Sequence, residues 1–172
     1  MTNPQKGDIM KKVIVIGCPG SGKSTFARAL AEITGLPLHY LDMMYWNADR
    51  TTVPKDLFRE KLRRVMENDT WIIDGNYGST MEMRMDAADT VFFLDYPTEL
   101  CLRGIQERKG KIRPDMPWVE DPDRDDEEFL GYIRGYTEEQ RPKVLLLLEN
   151  HRNKTIHIFK NRTQTDTFLS VL

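Results

Sequence analysis

The chain has 172 residues, 40% hydrophobic and 30% charged, with 25 basic and 27 acidic side chains for a formal charge of −2. That length suits one domain, and the balance excludes both a disordered segment and an overall electrostatic grip on nucleic acid. The longest aliphatic run, Val144 to Leu148, is too short for a bilayer, and the isolated Cys18 and Cys101 predict a reduced, cytoplasmic chain without a metal cluster.

Residues 1–10 are polar, with Pro4 and Gly7, and predict a flexible tail ahead of a single domain over 11–172. Structure starts at Lys11-Lys12, where Val13 to Ile16 is an unbroken apolar run that stops at Gly17, the signature of a strand covered on both faces. Ser24 to Thr34 places Phe26, Ala27, Leu30, Ala31 and Ile33 at helical spacing, with Gly35 as the C-terminal cap. Leu36 to Leu41 reads as a second strand ending at Asp42, and Asp56 to Asn68 as an amphipathic helix. Trp71 to Ile73 is a third strand ending at Asp74, and Thr90 to Leu94 a fourth ending at Asp95, followed by a helix from Pro97 through Arg108. A charge-dense stretch leads to a helical region over Phe129 to Asn150, kinked or restarted at Arg141-Pro142. A fifth strand, Thr155 to Phe159, and a closing helix, Thr165 to Leu172, complete the chain. Strands alternating with helices predict an α/β fold with a parallel sheet and right-handed crossovers.

Between the first strand and first helix, Gly17-Cys18-Pro19-Gly20-Ser21-Gly22-Lys23-Ser24 fits G-x-x-x-x-G-K-[ST] at every specified position. Gly17, Gly20, Ser21 and Gly22 would wrap main-chain N–H groups round the phosphates of ATP, with Pro19 in the same loop and Thr25 just inside the helix. Lys23 reaches the β- and γ-phosphates, and Ser24 offers its hydroxyl to Mg²⁺. Cys18 is either a small filler or an oxidation-sensitive thiol near a helix N-terminus.

Ligands of open parallel sheets sit beyond the carboxyl ends of the strands, where Asp42, Asp74 and Asp95 fall. Asp74, followed by Gly75, is the candidate for holding the waters of Mg²⁺. Asp42 either takes the proton of an acceptor hydroxyl or makes a turn. Asp95, before Tyr96-Pro97, reads as a helix cap. Arg103 and Arg108 open a basic run and are candidates for stabilising transferred charge. The acidic stretch from Glu120 to Glu128 reads as a solvated face. Arg134 and Arg141, seven apart on one helical face, are candidates for the same phosphates. Tyr45, Trp46 and Tyr77 either line an acceptor pocket or belong to the core.

Taken together, the loop, Leu41-Asp42, Ile72-Ile73-Asp74-Gly75, Phe93-Leu94-Asp95-Tyr96-Pro97 and Arg103 to Arg108 resemble the nucleoside-monophosphate-kinase-like branch of P-loop kinases. With Tyr45-Trp46 and Trp71 to Tyr77, the chain is similar to the adenylate-kinase-related group labelled DNA topology modulation proteins. The resemblance implies a three-layer P-loop fold with a five-stranded sheet in the order 2-3-1-4-5, an acceptor-binding segment near 43–68 and a short lid near 108–128. It also implies Arg103 and Arg108 as lid arginines and the backbone at Asn161-Arg162 beside the adenine. Adenylate kinases follow the strand-three Asp-Gly with an aromatic residue, proline and an arginine for the acceptor phosphate. Here Asn76, Tyr77 and Gly78 stand there, which leaves Arg84 as the candidate substitute. Asp42 is similar in place to the carboxylate that faces an acceptor hydroxyl in shikimate and gluconate kinases.

These features predict an ATP-dependent kinase acting on a small, nucleotide-like or hydroxylated acceptor, as a monomer or homodimer, with no membrane partner and no nucleic acid. The alternatives are an NTP-hydrolysing switch and a nucleotide-responsive DNA-associated regulator.

Overall fold

The computed structural model describes residues 9–172, so most of the expected N-terminal tail lies outside the described residues. Five parallel strands form one sheet in the order β2-β3-β1-β4-β5. They are β1 (Lys12–Gly17), β2 (Leu38–Tyr40), β3 (Trp71–Asp74), β4 (Thr90–Leu94) and β5 (Thr155–Phe159). The helices are α1 (Lys23–Thr34), α2 (Leu41–Tyr45), α3 (Lys55–Met66), α4 (Gly78–Ala87), α5 (Thr98–Arg108), α6 (Glu127–Glu139), α7 (Arg141–Asn150) and α8 (Arg162–Ser170).

The unbroken apolar run of β1 divides by the period-two rule of a strand. Val13 and Val15 face one core with Phe26, Leu30, Phe92, Ile133 and Phe159, so α1, α5, α6 and α8 cover that side. Ile14 and Ile16 face a second core with Phe58, Leu62, Met85, Phe93, Val144 and Leu148, so α3, α4 and α7 cover the other. Each wholly buried side chain in these layers contributes about 1.5–3 kcal/mol of transfer free energy. The two cores fix the direction of all five strands and therefore gather their carboxyl ends along one edge.

Two local differences from the sequence expectations, and one choice between two readings, have physical causes. β2 is short because Leu41 already begins α2, which puts Asp42 in a helical first turn just past the strand end. Residues 129–150 form two helices, the restart and not the kink of the two readings at Arg141-Pro142. Asp126 caps α6 by accepting from the Phe129 amide (3.0 Å), and α7 restarts at Arg141 with Pro142 in its first turn. The helix α4 has no counterpart in the apolar pattern, because its buried face carries Thr80 and Arg84 beside Met81 and Met85.

Candidate active site

The phosphate loop leaves β1 at Gly17 and enters α1 through Gly22, whose φ of +88° admits glycine readily. The loop packs main chain to main chain on α5. A Cβ at Gly20 would stand 2.0 Å from the Cys101 carbonyl oxygen, and one at Gly104 would stand 2.1 Å from that of Gly20. Lys23 Nζ lies over the loop and donates to the Cys18 carbonyl at 3.3 Å. Pro19, Gly20, Gly22, Lys23, Ser24 and Thr25 are partly exposed or open along this stretch, while Ser21 is buried. The Cys18 thiol is buried against that of Cys101, and its pKa is pushed far up by that contact and by burial, so it rests as a neutral filler.

Ser24 Oγ donates to Asp74 Oδ2 at 2.5 Å, while the other oxygen, Asp74 Oδ1, is buried with no hydrogen-bond partner. Burial raises the Asp74 pKa to about 6, against the opposing pull of Lys23 and the Ser24 hydroxyl. An orphaned carboxylate oxygen beside a P-loop serine fits the waters of Mg²⁺, a cation that binds through one or two carboxylates and phosphate oxygens. Asn76 fastens this edge to the loop: Gly17 N donates to Asn76 Oδ1 (3.1 Å) and Asn76 Nδ2 to the Gly17 carbonyl (2.6 Å).

Asp42 comes from the neighbouring strand end. The Tyr77 phenol donates to Asp42 Oδ1 at 2.5 Å, and burial raises the carboxyl pKa against Tyr77 and Lys23. A carboxylate raised in this way is a better proton acceptor than one in water. Tyr77 itself has φ +40°, uncommon for a residue with a bulky side chain. Its ring packs on Tyr45 (4.9 Å between centroids) and Phe58 (5.2 Å), while Trp46 meets Trp118, in the loop between α5 and α6, at 5.9 Å. Arg50 lies over the Trp118 ring (4.8 Å) and donates to the Val119 carbonyl at 3.1 Å, so the segment after α2 and that loop are clasped together.

The cleft above the loop is lined by Lys23, Ser24, Arg28, Arg108, Lys111, Arg113, Asp115 and Arg162, among others. Arg108 is bidentate to Glu120 (2.9 and 2.6 Å), and Arg113 donates to Asp115 (2.8 Å) and Glu120 (3.4 Å). Asp115 is buried and also accepts from Arg28 at 3.3 Å. Burial and the neighbouring Arg108 lower the Arg113 pKa. The acidic stretch expected as a solvated face is thus partly a partner set: Glu120 for the lid arginines, Asp125 for Lys109, and Asp126 for a helix cap.

Several expected site residues are placed elsewhere. Arg103 is exposed and does not line this cleft. Arg134 is exposed beside Glu127 at 3.7 Å, and Arg141 is bidentate to Asp95 (2.8 and 2.9 Å). Asp95 caps no helix. Burial would raise its pKa, but the bonds from Arg141 and Lys160 outweigh it and hold the carboxyl below its usual range. Arg84 is wholly buried and spends its donors on the carbonyls of Gly75, Asn76 and Tyr77, which removes it from acceptor binding. The Asn161 side chain caps α8 by accepting from the Gln164 amide (3.0 Å), and Arg162 pairs with Glu107 at 3.3 Å on the rim of the cleft. Sequence reasoning missed Arg28, Asn76, Asp115 and Trp118 as parts of the site. It noted Arg113 only within the basic run, where Arg113-Pro114 was the available signal.

No family model matches the chain, and no curated protein matches it. Among solved structures it is similar to the shikimate kinase of Bacteroides thetaiotaomicron, at 19% identity over 94% of this chain and 96% of that one, with a TM-score of 0.56. The shikimate kinase of Aquifex aeolicus matches at 18% identity over 92% and 91%, TM-score 0.54. That of Acinetobacter baumannii, in complex with shikimate, matches at 19% over 94% and 92%, TM-score 0.58. At this identity the likeness is one of fold: the chain has the P-loop, nucleoside-monophosphate-kinase-like architecture of these kinases over nearly its whole length.

Proposed function

We propose that the protein is an ATP-dependent kinase that transfers the γ-phosphoryl group of Mg·ATP to a hydroxyl of a small acceptor. The observation that carries this reading is the pairing of two carboxylates across Lys23: Asp74 bonded to the P-loop serine, and Asp42 held by Tyr77 on the acceptor side. A second carboxylate would serve an attacking water as well as an acceptor hydroxyl; the acceptor is favoured by the aromatic group that continues from the Asp42 partner Tyr77 through Tyr45 and Trp46 to Trp118. The net charge of −2 gives no support to a DNA-associated regulator. The finer resemblance to DNA topology modulation proteins rests on Leu41-Asp42 and Trp71 to Tyr77 and names no chemistry of its own.

In this reading the loop amides and Lys23 hold the phosphates, and Arg108 and Arg113 neutralise charge on the group in flight. Ser24 directly and Asp74 through water would hold Mg²⁺, which would supply positive charge beside the phosphates. Asp42 accepts the proton of the attacking hydroxyl, with Tyr77 fixing one of its oxygens so that the other faces the acceptor. The aromatic wall of Tyr45, Trp46 and Trp118 excludes water from the acceptor side. The Acinetobacter kinase holds shikimate, a hydroxylated acid, and a hydroxylated metabolite is accordingly the leading acceptor class here. A cytoplasmic protein is the setting that fits ATP as donor, and no helix among the described residues is long and apolar enough to cross a membrane.

The test is ADP release from Mg·ATP with pooled nucleoside monophosphates, nucleosides, hydroxylated acids and sugars, with Lys23→Ala protein as blank. One pool raising the rate well above the acceptor-free value supports the kinase. A slow loss of ATP that no pool accelerates refutes it in favour of the switch.

A further inference from the structure

Arg84 sits in the last turn of α4 with no exposed surface, alongside Met81 and Met85 of the buried face. Burying a guanidinium is costly unless its donors are satisfied, and a methionine would fill the same space without that cost. The donors of Arg84 converge on one stretch of main chain. Nη1 donates to the Gly75 carbonyl (3.0 Å), Nη2 to those of Asn76 and Tyr77 (3.2 Å to the latter), and Nε to Thr80 Oγ1 (3.2 Å). The Thr80 hydroxyl in turn donates to the Tyr77 carbonyl at 3.1 Å.

The clamped stretch holds two left-handed backbone positions, Gly75 at φ +138° and Tyr77 at φ +40°. Such a conformation at a tyrosine persists only where its surroundings enforce it. What leaves the stretch explains the expense. Asn76 bonds both the amide and the carbonyl of Gly17, the first residue of the phosphate loop, and Tyr77 bonds Asp42.

From this geometry we infer that Arg84 is a positioning residue whose clamp on Gly75, Asn76 and Tyr77 sets the phosphate loop through Asn76 and the Asp42 carboxylate through Tyr77. It acts through those two side chains and places both halves of the reaction from one buried fork. The meaning assigned to the Asp42 arm rests on the kinase reading; the positioning itself does not.

The experiment uses the full chain and three readings that need no acceptor: Mg·ADP affinity by calorimetry, exchange of the Gly17 amide, and the 13Cζ resonance of Tyr77. Arg84→Lys keeps the charge but loses the fork. It is expected to weaken Mg·ADP about tenfold, the equivalent of one charged hydrogen bond. It also speeds Gly17 exchange and shifts the Tyr77 resonance. On an Asn76→Ala background it weakens Mg·ADP no further, since both changes break the same arm. A folded Arg84→Lys protein with all three readings at wild-type values overturns the inference, as does full additivity with Asn76→Ala.

Should Arg84→Lys fail to fold, Thr80→Val loosens the clamp at its hydroxyl and moves the same readings in the same direction, by about threefold in affinity. Unchanged readings there overturn the inference equally. Readings that move as expected while no acceptor pool raises ADP release sustain the clamp and sink the kinase. An identified acceptor with unmoved readings does the reverse.

Discussion

The two sides of the cleft are made of different material. On the donor side, consecutive residues between β1 and α1 present main-chain amides, and Gly20 rests on the backbone of α5 with no side chain between them. On the acceptor side, Asp42, Tyr77, Trp46, Trp118 and Arg50 come from three separate stretches of chain and touch through side chains. A phosphate group is the same in every nucleoside triphosphate, so main chain suffices to hold it. An acceptor differs from one kinase to the next, and side chains are what substitution can change.

The largest way to break this contrast is at Lys23. Lys23→Ala is expected to lower kcat/KM about a thousandfold while the thermal midpoint stays near wild type, as for loss of one preorganised charge at a transition state. Near-normal turnover in that variant would remove the donor site from the loop. On the other side, Asp42→Asn is expected to lower kcat about a hundredfold, the ordinary share of a general base, with Mg·ADP affinity retained. A harmless Asp42→Asn would reduce Asp42 to a turn residue and leave the acceptor side without chemistry.

Asp74 sharpens the comparison through stability. Its folded-state pKa of about 6 lies above the ordinary aspartate value of 3.8, so the folded chain binds the extra proton between those values. Stability therefore falls as pH rises from about 4 through 6, and the deficit of about 2–3 kcal/mol is complete above pH 7. Asp74→Asn is expected to raise the free energy of unfolding by about 2 kcal/mol at pH 8 and not at pH 4, while lowering kcat with saturating Mg·ATP. A gain independent of pH would show that ionisation is not its source. The smallest effect belongs to the clasp. Arg50→Ala removes a cation–π contact worth about 0.5–1 kcal/mol and is expected to raise the acceptor KM about threefold with ADP affinity unaltered. A change in ADP affinity instead would tie the clasp to the donor.

The same contrast decides what could be read from the residues alone. The phosphate loop and the strand before it are contiguous, so eight letters and an apolar run were enough to set the loop between β1 and α1, where the structure has it. Asp42 and Asp74 were legible because strand ends are, and a parallel sheet collects them on one edge. Helix α4 was illegible because Thr80 and Arg84 stand on its buried face and break the apolar period. Arg84 was read as an acceptor contact because an arginine near the site suggests an anion, whereas its partners are carbonyls that sequence does not display. Arg141 failed for a related reason: helical spacing gave it a common face with Arg134, but not the Asp95 that holds it. Glu120 looked like solvated charge because its partner, Arg108, lies across a loop.

The bare joint between Gly20 and Gly104 has a practical consequence for redesign. Peptide against peptide leaves no side chain to trim or enlarge, so the angle between the loop and α5 is inherited unchanged whatever is spliced beyond Arg108. Asp126, capping α6, marks where such a splice should end. Between those two points a foreign lid, longer or differently charged, can be grafted onto a hinge pin that is already machined to size.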